Sequence, residues 1–316
     1  MIEISNLKVR YGSSSTGITA LDGVSLSIRD GISFGIVGES GSGKSTLAMA
    51  MMRLLPNSSK IDSGKIVIDG RDILALKESE MRRIRGKEVS MVFQGAMNTL
   101  NPLMRIEDQV AEPLLLHGMD DREEALENAR KSLGLVGLGE SFWRKYPHEL
   151  SGGMKQRAVI AAAIVSNPKI LIADEPTTAL DVITQVQIIN LLSEIQKKMN
   201  MTVIFISHDF PLVSQFSDEI AILYGGKLCE IGPNEEILSN PSHPYTRGLK
   251  ISVPILGGEK TLHEIPGEPV NLRNPPPGCR FLERCGFATE MCSSFQYTPS
   301  YVAKGHVVYC TLFGGA

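Results

Sequence analysis

The 316-residue chain lacks any apolar run of the roughly 18 residues that a membrane-spanning helix needs. Its longest apolar stretch, Ala158 to Val165, is far too short. It also lacks a strong charge of either sign: 32 basic against 35 acidic side chains leave a formal net charge of −3, so the bulk charge gives nucleic acid no electrostatic footprint. The opening Met1-Ile2-Glu3-Ile4 has neither the basic start nor the apolar core of a secretory signal and reads as a strand, which predicts a soluble, cytoplasmic chain that is still free to dock onto a membrane protein. No internal repeat and no long low-complexity segment occurs. Cysteine is absent from the first 228 positions, and four of the five cysteines lie between Cys279 and Cys310.

What is there is an ordinary globular balance, 42% hydrophobic and 21% charged, in a chain long enough for one large domain with additions or for two domains. Residues 1–9 and 24–28 read as strands around a Gly/Ser-rich turn at 12–17. Ile32 to Val37 is a short apolar run ending at Gly38, after which the period turns helical, with Leu47, Met51 and Leu54–Leu55 on one face and Pro56-Asn57 as the stop. Val89 to Phe93 reads as another buried strand, and Ile170 to Ala173 and Val203 to Ile206 are apolar without alternation, as expected of strands buried on both faces of a parallel sheet. Residues 97–165 read as mostly helical, including Asp121 to Leu133, and a helix over 182–199 joins two of the buried strands. Beyond Gly232 prolines accumulate and helical periodicity fades. This predicts a domain over residues 1–232 followed by an irregular extension over residues 233–316, with no second large core.

Two stretches carry chemistry. Gly38-Glu39-Ser40-Gly41-Ser42-Gly43-Lys44-Ser45-Thr46 matches the phosphate-loop spacing in the strand, loop, helix setting that motif requires. Its glycines Gly38, Gly41 and Gly43 let backbone N–H groups approach phosphate oxygens, and the following helix presents its positive end to the same anion. Lys44 is placed to reach the β- and γ-phosphates and Ser45 to ligate Mg²⁺. The second carboxylate group is Asp174-Glu175, at the end of an apolar strand, where Asp174 suits Mg²⁺ and Glu175 suits activation of the attacking water.

With these residues in place, the chain resembles the ATP-binding subunits of ATP-binding cassette (ABC) transporters, and the match is a series of motifs in the family's order. Tyr11 stands where the family stacks an aromatic ring on adenine. Gln94 corresponds to the Q-loop glutamine, a further contact to Mg²⁺. Leu150-Ser151-Gly152-Gly153-Met154-Lys155-Gln156-Arg157 resembles the LSGGQ-type signature, with Met154 in place of the usual Gln. Asp181 closes the D-loop Ala179-Leu180-Asp181, and His208 is the switch histidine. The resemblance implies an α/β P-loop NTPase fold with a mostly parallel RecA-like core sheet, an N-terminal antiparallel β region and a helical subdomain over about 97–165. It implies that Ser151 and Gly153, at the start of a helix running to about 166, meet the γ-phosphate held by a partner subunit. Two ATP molecules are then sandwiched between two ATPase subunits, with His208 on the γ-phosphate.

Four further segments resemble one branch, the oligopeptide and dipeptide importers. These are Asn98-Thr99-Leu100-Asn101-Pro102, the run Ala173 to Asp181, His243-Pro244-Tyr245-Thr246-Arg247-Gly248-Leu249 followed by Ser252-Val253-Pro254, and the proline-rich cysteine tail from Pro275. One departure stands out: Gly95-Ala96 replaces the acidic residue and proline usual after the Q-loop glutamine, close to the expected contact with the membrane subunit. The resemblance implies a peripheral subunit on the cytoplasmic face of the membrane. Its implied partners are a second, different ATPase subunit, two transmembrane permease subunits and, indirectly, an extracellular binding protein; nucleic acid is not among them. Peptide is the leading substrate, with nickel and oligosaccharide as alternatives. A soluble ABC ATPase acting on nucleic acid or ribosomes, and a redox protein using nucleotide as a switch, are the rival classes.

Cys279, Cys285, Cys292 and Cys310 are separated by 5, 6 and 17 residues. Disulfides do not suit a cytoplasmic ATPase, and the close cysteine pair typical of zinc sites is missing. Zinc, free thiols and a four-thiolate iron–sulfur cluster all remain open on spacing alone. The family resemblance points to a [4Fe–4S] cluster at the four positions, pinning a tail too poor in apolar periodicity to fold unaided. His306 reads as a surface histidine or an alternative ligand, and Cys229 as a small packed apolar residue.

Overall fold

The computed structural model describes residues 1–13, 17–251 and 265–314; half of the turn at 12–17 and the Ser252-Val253-Pro254 segment therefore lie outside the described residues. In chain order the elements are β1 (Ile2–Tyr11), β2 (Ile18–Ile28), β3 (Ser33–Val37), α1 (Lys44–Met51), β4 (Ser59–Ile68), β5 (Arg71–Asp72), α2 (Glu78–Ile84) and β6 (Val89–Val92). There follow α3 (Ile106–Leu116), α4 (Arg122–Leu135), α5 (Glu140–Trp143), α6 (Gly152–Ile164), β7 (Ile170–Asp174), α7 (Val182–Met199) and β8 (Thr202–Ser207). The last are α8 (Phe210–Phe216), β9 (Glu219–Tyr224), β10 (Lys227–Pro233), α9 (Asn234–Ser239), α10 (Pro244–Ile251), β11 (Ser300–Ala303) and β12 (His306–Val308). The chain forms two compact units, one of residues 1–29, 34–74 and 207–316, the other of residues 30–33 and 75–206.

In the first unit β2, β1, β4 and β5 form an antiparallel sheet in that order, the expected N-terminal β region. Its alternation is that of a one-faced sheet: Ile2, Ile4, Leu7 and Val9 of β1 are buried while the residues between them are exposed or half-buried. β3 runs parallel to β9, with Phe34 opposite Glu219 and Val37 opposite Ile222, and all five β3 residues are buried. β10 pairs antiparallel with β9, β12 with β10 and β11 with β12. The two short strands at the end of the chain go beyond the irregular extension expected there; the sequence alternates too briefly to signal them. Arg280 donates to Asp22 of β2 at 2.8 Å. Burial opposes ionisation of Asp22, but hydrogen bonds from Lys227 and Lys8 outweigh it and bring its carboxyl to about 2.

In the second unit β6, β7 and β8 are parallel neighbours. Ile170 to Asp174 are all buried, which explains why the run lacks alternation: each Ile or Leu there is worth about 1.5–3 kcal/mol of burial. The expected helical stretch resolves into α3, α4, α5 and α6 with short 3₁₀ turns at Ala96–Thr99 and Pro147–Glu149. α4 starts at an Asp121 cap whose carboxylate accepts from the N–H groups of Glu123 and Glu124. α7 spans the predicted 182–199 and ends at Asn200 in the left-handed conformation.

Candidate functional site

The phosphate loop belongs to the first unit. β3 delivers the chain to Gly38, where a Cβ would stand 2.1 Å from the Leu223 carbonyl oxygen of β9, so only glycine fits. The loop turns into α1 through Gly43 at φ +102°, a conformation closed to other residues in practice. α1 has no acidic residue in its first turn to compete with a bound anion for its positive dipole end. Lys44 is buried, and its amine donates to the carbonyls of Gly38 at 2.7 Å and Glu39 at 2.9 Å. The cation is thus held over the loop. Ser40 and Gly41 are exposed at the loop's tip, Ser45 and Thr46 half-buried on the first turn of the helix. Tyr11, at the end of β1, is hydrogen-bonded to Thr46 through its hydroxyl, Oη to Oγ1 3.3 Å. His208 is exposed at the end of β8, where Asp209 caps α8 by accepting from the N–H of Leu212.

The carboxylates belong to the second unit. Asp174, the last residue of β7, is 2% exposed. Glu175 follows at φ +46°, a region that costs a non-glycine residue of order 1–3 kcal/mol and persists only where the surroundings enforce it. They do: its N–H donates to the Ile206 carbonyl at 2.9 Å. Its Oε2 accepts from the Gln94 amide at 2.9 Å and from the Thr178 hydroxyl at 3.1 Å. The backbone twist therefore aims a carboxylate that two neutral donors fix in orientation, as a base for one water molecule needs. Sequence reasoning does not single out Thr178, although the Thr177-Thr178 pair beside two acids is a signal that could have found it. Gly95 holds φ +68° and opens the turn after Gln94.

Two helix starts complete this set. Ser151 caps α6, accepting from the Met154 N–H at 3.4 Å, and Ser151 itself is exposed with Gly153 half-buried beside it. Asp181 caps α7, accepting from the N–H and hydroxyl of Thr184 at 3.0 and 2.7 Å, which lowers its carboxyl pKa. Val182 and Ile183, on the first turn of α7, stand 75% and 73% exposed.

The C-terminal extension is organised by one buried acid. Glu230 of β10 is fully buried and accepts from the N–H groups of Ser242 at 2.7 Å and His243 at 2.9 Å. His306 Nε2 lies 2.7 Å from the same carboxylate, and His306 is 1% exposed, which corrects the expectation of a surface histidine. Burial opposes ionisation of Glu230, yet the hydrogen bonds from His306 and the two backbone groups win and keep its carboxyl below the usual range. His243 is buried; its Nδ1 accepts from the Tyr245 N–H, and burial brings its pKa down to about 4. These bonds set Pro244 and Tyr245 at the start of α10. Tyr245 is fully buried and accepts from the Glu39 N–H at 2.9 Å. Arg284 grips the Glu39 side chain, Nη1 to Oε2 2.7 Å and Nη2 to Oε1 3.1 Å. Neither pairing is legible in the sequence alone.

Cys279, Cys285, Cys292 and Cys310 line one small cavity of about 10 Å³, together with His243, Phe281 and Thr311. Burial pushes Cys279 up to about 11 and raises Cys285 and Cys310. Burial also acts on Cys292, but hydrogen bonds from Thr311 and Thr289 outweigh it and lower its thiol. Cys229 is buried, as expected for a packed apolar residue. Among the described residues no group of three His, Cys, Asp or Glu side chains is arranged to hold a metal ion. The expected iron–sulfur ligand set is therefore gathered around one cavity without being closed into a metal site. Among the described residues no helix is long and apolar enough to cross a membrane.

Residues 21–178 match the family described as ABC transporter, and residues 229–292 match the oligopeptide/dipeptide transporter C-terminal region. The dipeptide transport ATP-binding protein DppD of Bacillus subtilis (strain 168) is 43% identical over 319 residues, covering 99% of this chain and 94% of its own. The oligopeptide transport ATP-binding protein OppD of Haemophilus influenzae (strain Rd) is 41% identical, covering 97% of this chain and 94% of its own. Among solved structures, the ATP-binding cassette MJ0796, in a dimeric post-hydrolysis state bound to ADP and Pi, is 33% identical with a TM-score of 0.66. That likeness covers 74% of this chain and 99% of the cassette.

Proposed function

As the chain belongs to the ABC transporter ATP-binding family, on its oligopeptide/dipeptide branch, we propose that it hydrolyses ATP to power import of peptides through a membrane transporter. The observation that carries the substrate class is the C-terminal region, residues 229–292, shared with peptide importers. In this reading residues 1–232 are the nucleotide-binding domain and 233–316 an extension to it.

The residues divide the work by their chemistry. Tyr11 stacks on the adenine. The loop N–H groups from Ser40 to Thr46, with Lys44, bind the phosphates. Ser45, Asp174 and Gln94 hold Mg²⁺, which, when bound, neutralises charge developing on the β- and γ-phosphate oxygens. The buried carboxylate of Asp174 and the hydroxyl of Ser45 are the hard oxygen donors this ion prefers. Glu175 takes the proton of the attacking water, and His208 orients the γ-phosphate. The base assignment draws its support from the two-donor grip of Gln94 and Thr178 on the Glu175 carboxylate.

Ser151 and Gly153 serve a nucleotide on a second ATPase subunit, and Asp181 meets that subunit too. Two features support pairing: the N-terminus of α6, which has no acidic residue in its first turn, and the exposed apolar pair Val182 and Ile183 directly after Asp181. The partner is a different ATPase of the same family, and two transmembrane subunits complete the transporter at the cytoplasmic face of the membrane. Leu103, 85% exposed in the segment after Gln94, supports a docking role there. Cys279, Cys285, Cys292 and Cys310 would hold a [4Fe–4S] cluster; the four residues border one cavity, which at about 10 Å³ is water-sized and must widen to admit the group. The cluster's contribution is structural, tying the loops of the extension together.

The test is uptake into proteoliposomes holding the chain, its partner ATPase and the two membrane subunits. ATP-dependent uptake of a di- or oligopeptide is expected. Uptake of nickel or an oligosaccharide instead, with no peptide, refutes the substrate assignment.

A further inference from the structure

We propose that Arg284 and Tyr245 of the C-terminal extension are positioning residues for the phosphate loop, acting on nucleotide through Glu39. The proposal rests on Gly38 to Thr46 holding the phosphates and goes beyond it by extending the nucleotide machinery into the tail.

Glu39 is held at both ends of its residue. Arg284 makes a bidentate ion pair with its carboxylate, and Tyr245 takes its backbone N–H. The neighbouring Gly38 carbonyl and the Glu39 carbonyl both accept from the Lys44 amine. The loop segment that fixes the lysine is thus the segment the extension holds.

The anchor is rigid on its own account. The Arg284 side chain is 7% exposed, and its guanidinium also donates to the carbonyls of Pro266 at 2.8 Å and Ile265 at 3.2 Å and to the Tyr224 hydroxyl at 3.2 Å. It lies 5.7 Å from the centre of the Tyr224 ring and 5.8 Å from that of Phe281. The Tyr245 ring packs on both, 4.7 Å from Tyr224 and 5.3 Å from Phe281. An exposed ion pair contributes little, but a bidentate, largely desolvated one fixes geometry. Charge points the same way. A carboxylate within an anion-binding loop works against phosphate, and Arg284 neutralises it where it stands. Deleting the guanidinium alone leaves that negative charge uncompensated; deleting both charges does not.

The experiment measures ATP affinity of the full-length chain by calorimetry without Mg²⁺, and KM and kcat for Mg-ATP hydrolysis. Arg284→Gln and Tyr245→Phe are each expected to raise Kd and KM about five- to twentyfold with kcat at saturating ATP changed less than about twofold. Arg284→Lys, which keeps the charge but not the fork, should fall between. Glu39→Gln combined with Arg284→Gln should bind ATP more tightly than Arg284→Gln alone. Tyr245→Phe removes a single hydroxyl and carries the test should Arg284→Gln fail to fold. Unchanged affinity in both variants, with binding abolished by Lys44→Ala, overturns the proposal, as does strict additivity in the Glu39/Arg284 pair. Retained affinity in Lys44→Ala would instead remove the phosphate-loop assignment, and the proposal with it.

Discussion

The Gln94 amide donates to the Glu175 carboxylate across 2.9 Å, linking the residue after β6 to the residue after β7. In the proposed reaction that bond orients the carboxylate that would take the proton of the attacking water. The same bond keeps the base engaged when no nucleotide is present.

Glu175→Gln removes the proton acceptor and keeps the shape. Turnover is expected to fall roughly 10²–10⁴-fold, with ATP affinity unchanged and the ATP-bound dimer accumulating. Steady-state hydrolysis and gel filtration with ATP check both halves; near-normal hydrolysis would take Glu175 out of the role.

Thr178→Val removes the second donor to that carboxylate without changing side-chain volume appreciably. The base then loses one of its fixing contacts, and kcat should fall about three- to tenfold with KM little changed, on the scale of one ordinary net hydrogen bond. A Thr178→Ser variant, which keeps the hydroxyl, should recover most of the rate.

Ser151→Arg puts a long cation at the exposed start of α6. The isolated chain should still bind ATP normally, while ATP-driven pairing with the partner ATPase and hydrolysis are lost. Loss of ATP binding in the monomer contradicts the assignment of Ser151 to the partner's nucleotide.

Acid should loosen the extension through His243. Its folded pKa, lowered by burial to about 4, lies below the usual value of 6.5, so the unfolded chain takes up the proton first. Stability is complete above pH 6.5 and declines as the pH falls toward 4, by at most about 3 kcal/mol from this group. The melting temperature followed over that range should flatten in His243→Asn, whose side-chain oxygen still accepts from the Tyr245 N–H but does not titrate. An unchanged slope would assign the acid sensitivity elsewhere.

Anaerobic purification from iron-replete cells should give iron and acid-labile sulfide in equal amounts with a broad visible absorption, lost in Cys292→Ser. Colourless, iron-free protein with all four thiols titratable would remove the cluster.

The phosphate loop, the Asp174-Glu175 strand end and the cap at Ser151 are all legible in the sequence because each is a local device: a handful of neighbouring residues dictates the backbone that positions them. α7 is bounded to the residue for the same reason, with a capping Asp before it and an Asn to end it. What stays hidden is long-range pairing. Arg284 and Glu39 are 245 positions apart, and His306 and Glu230 are 76 apart; nothing in the neighbourhood of either residue announces the other. β2 begins six residues earlier than the sequence suggests, because a register shift against β1 interrupts the alternation that would have marked it. β11 and β12, of four and three residues, are too short for any periodicity to register.

The pairing of β12 with β10 has a practical side. β11 forms the outer border of that run of strands, and it is only four residues long, followed by Lys304 and a glycine turn. Short, charged borders resist unwanted strand addition. Truncating the chain before residue 300 would strip both strands and uncover β10, whose Leu228, Cys229 and Glu230 are buried in the complete chain. Such a trimmed cassette would carry an adhesive ribbon at its margin and should come out of cells aggregated, even though every residue that touches ATP remains in it.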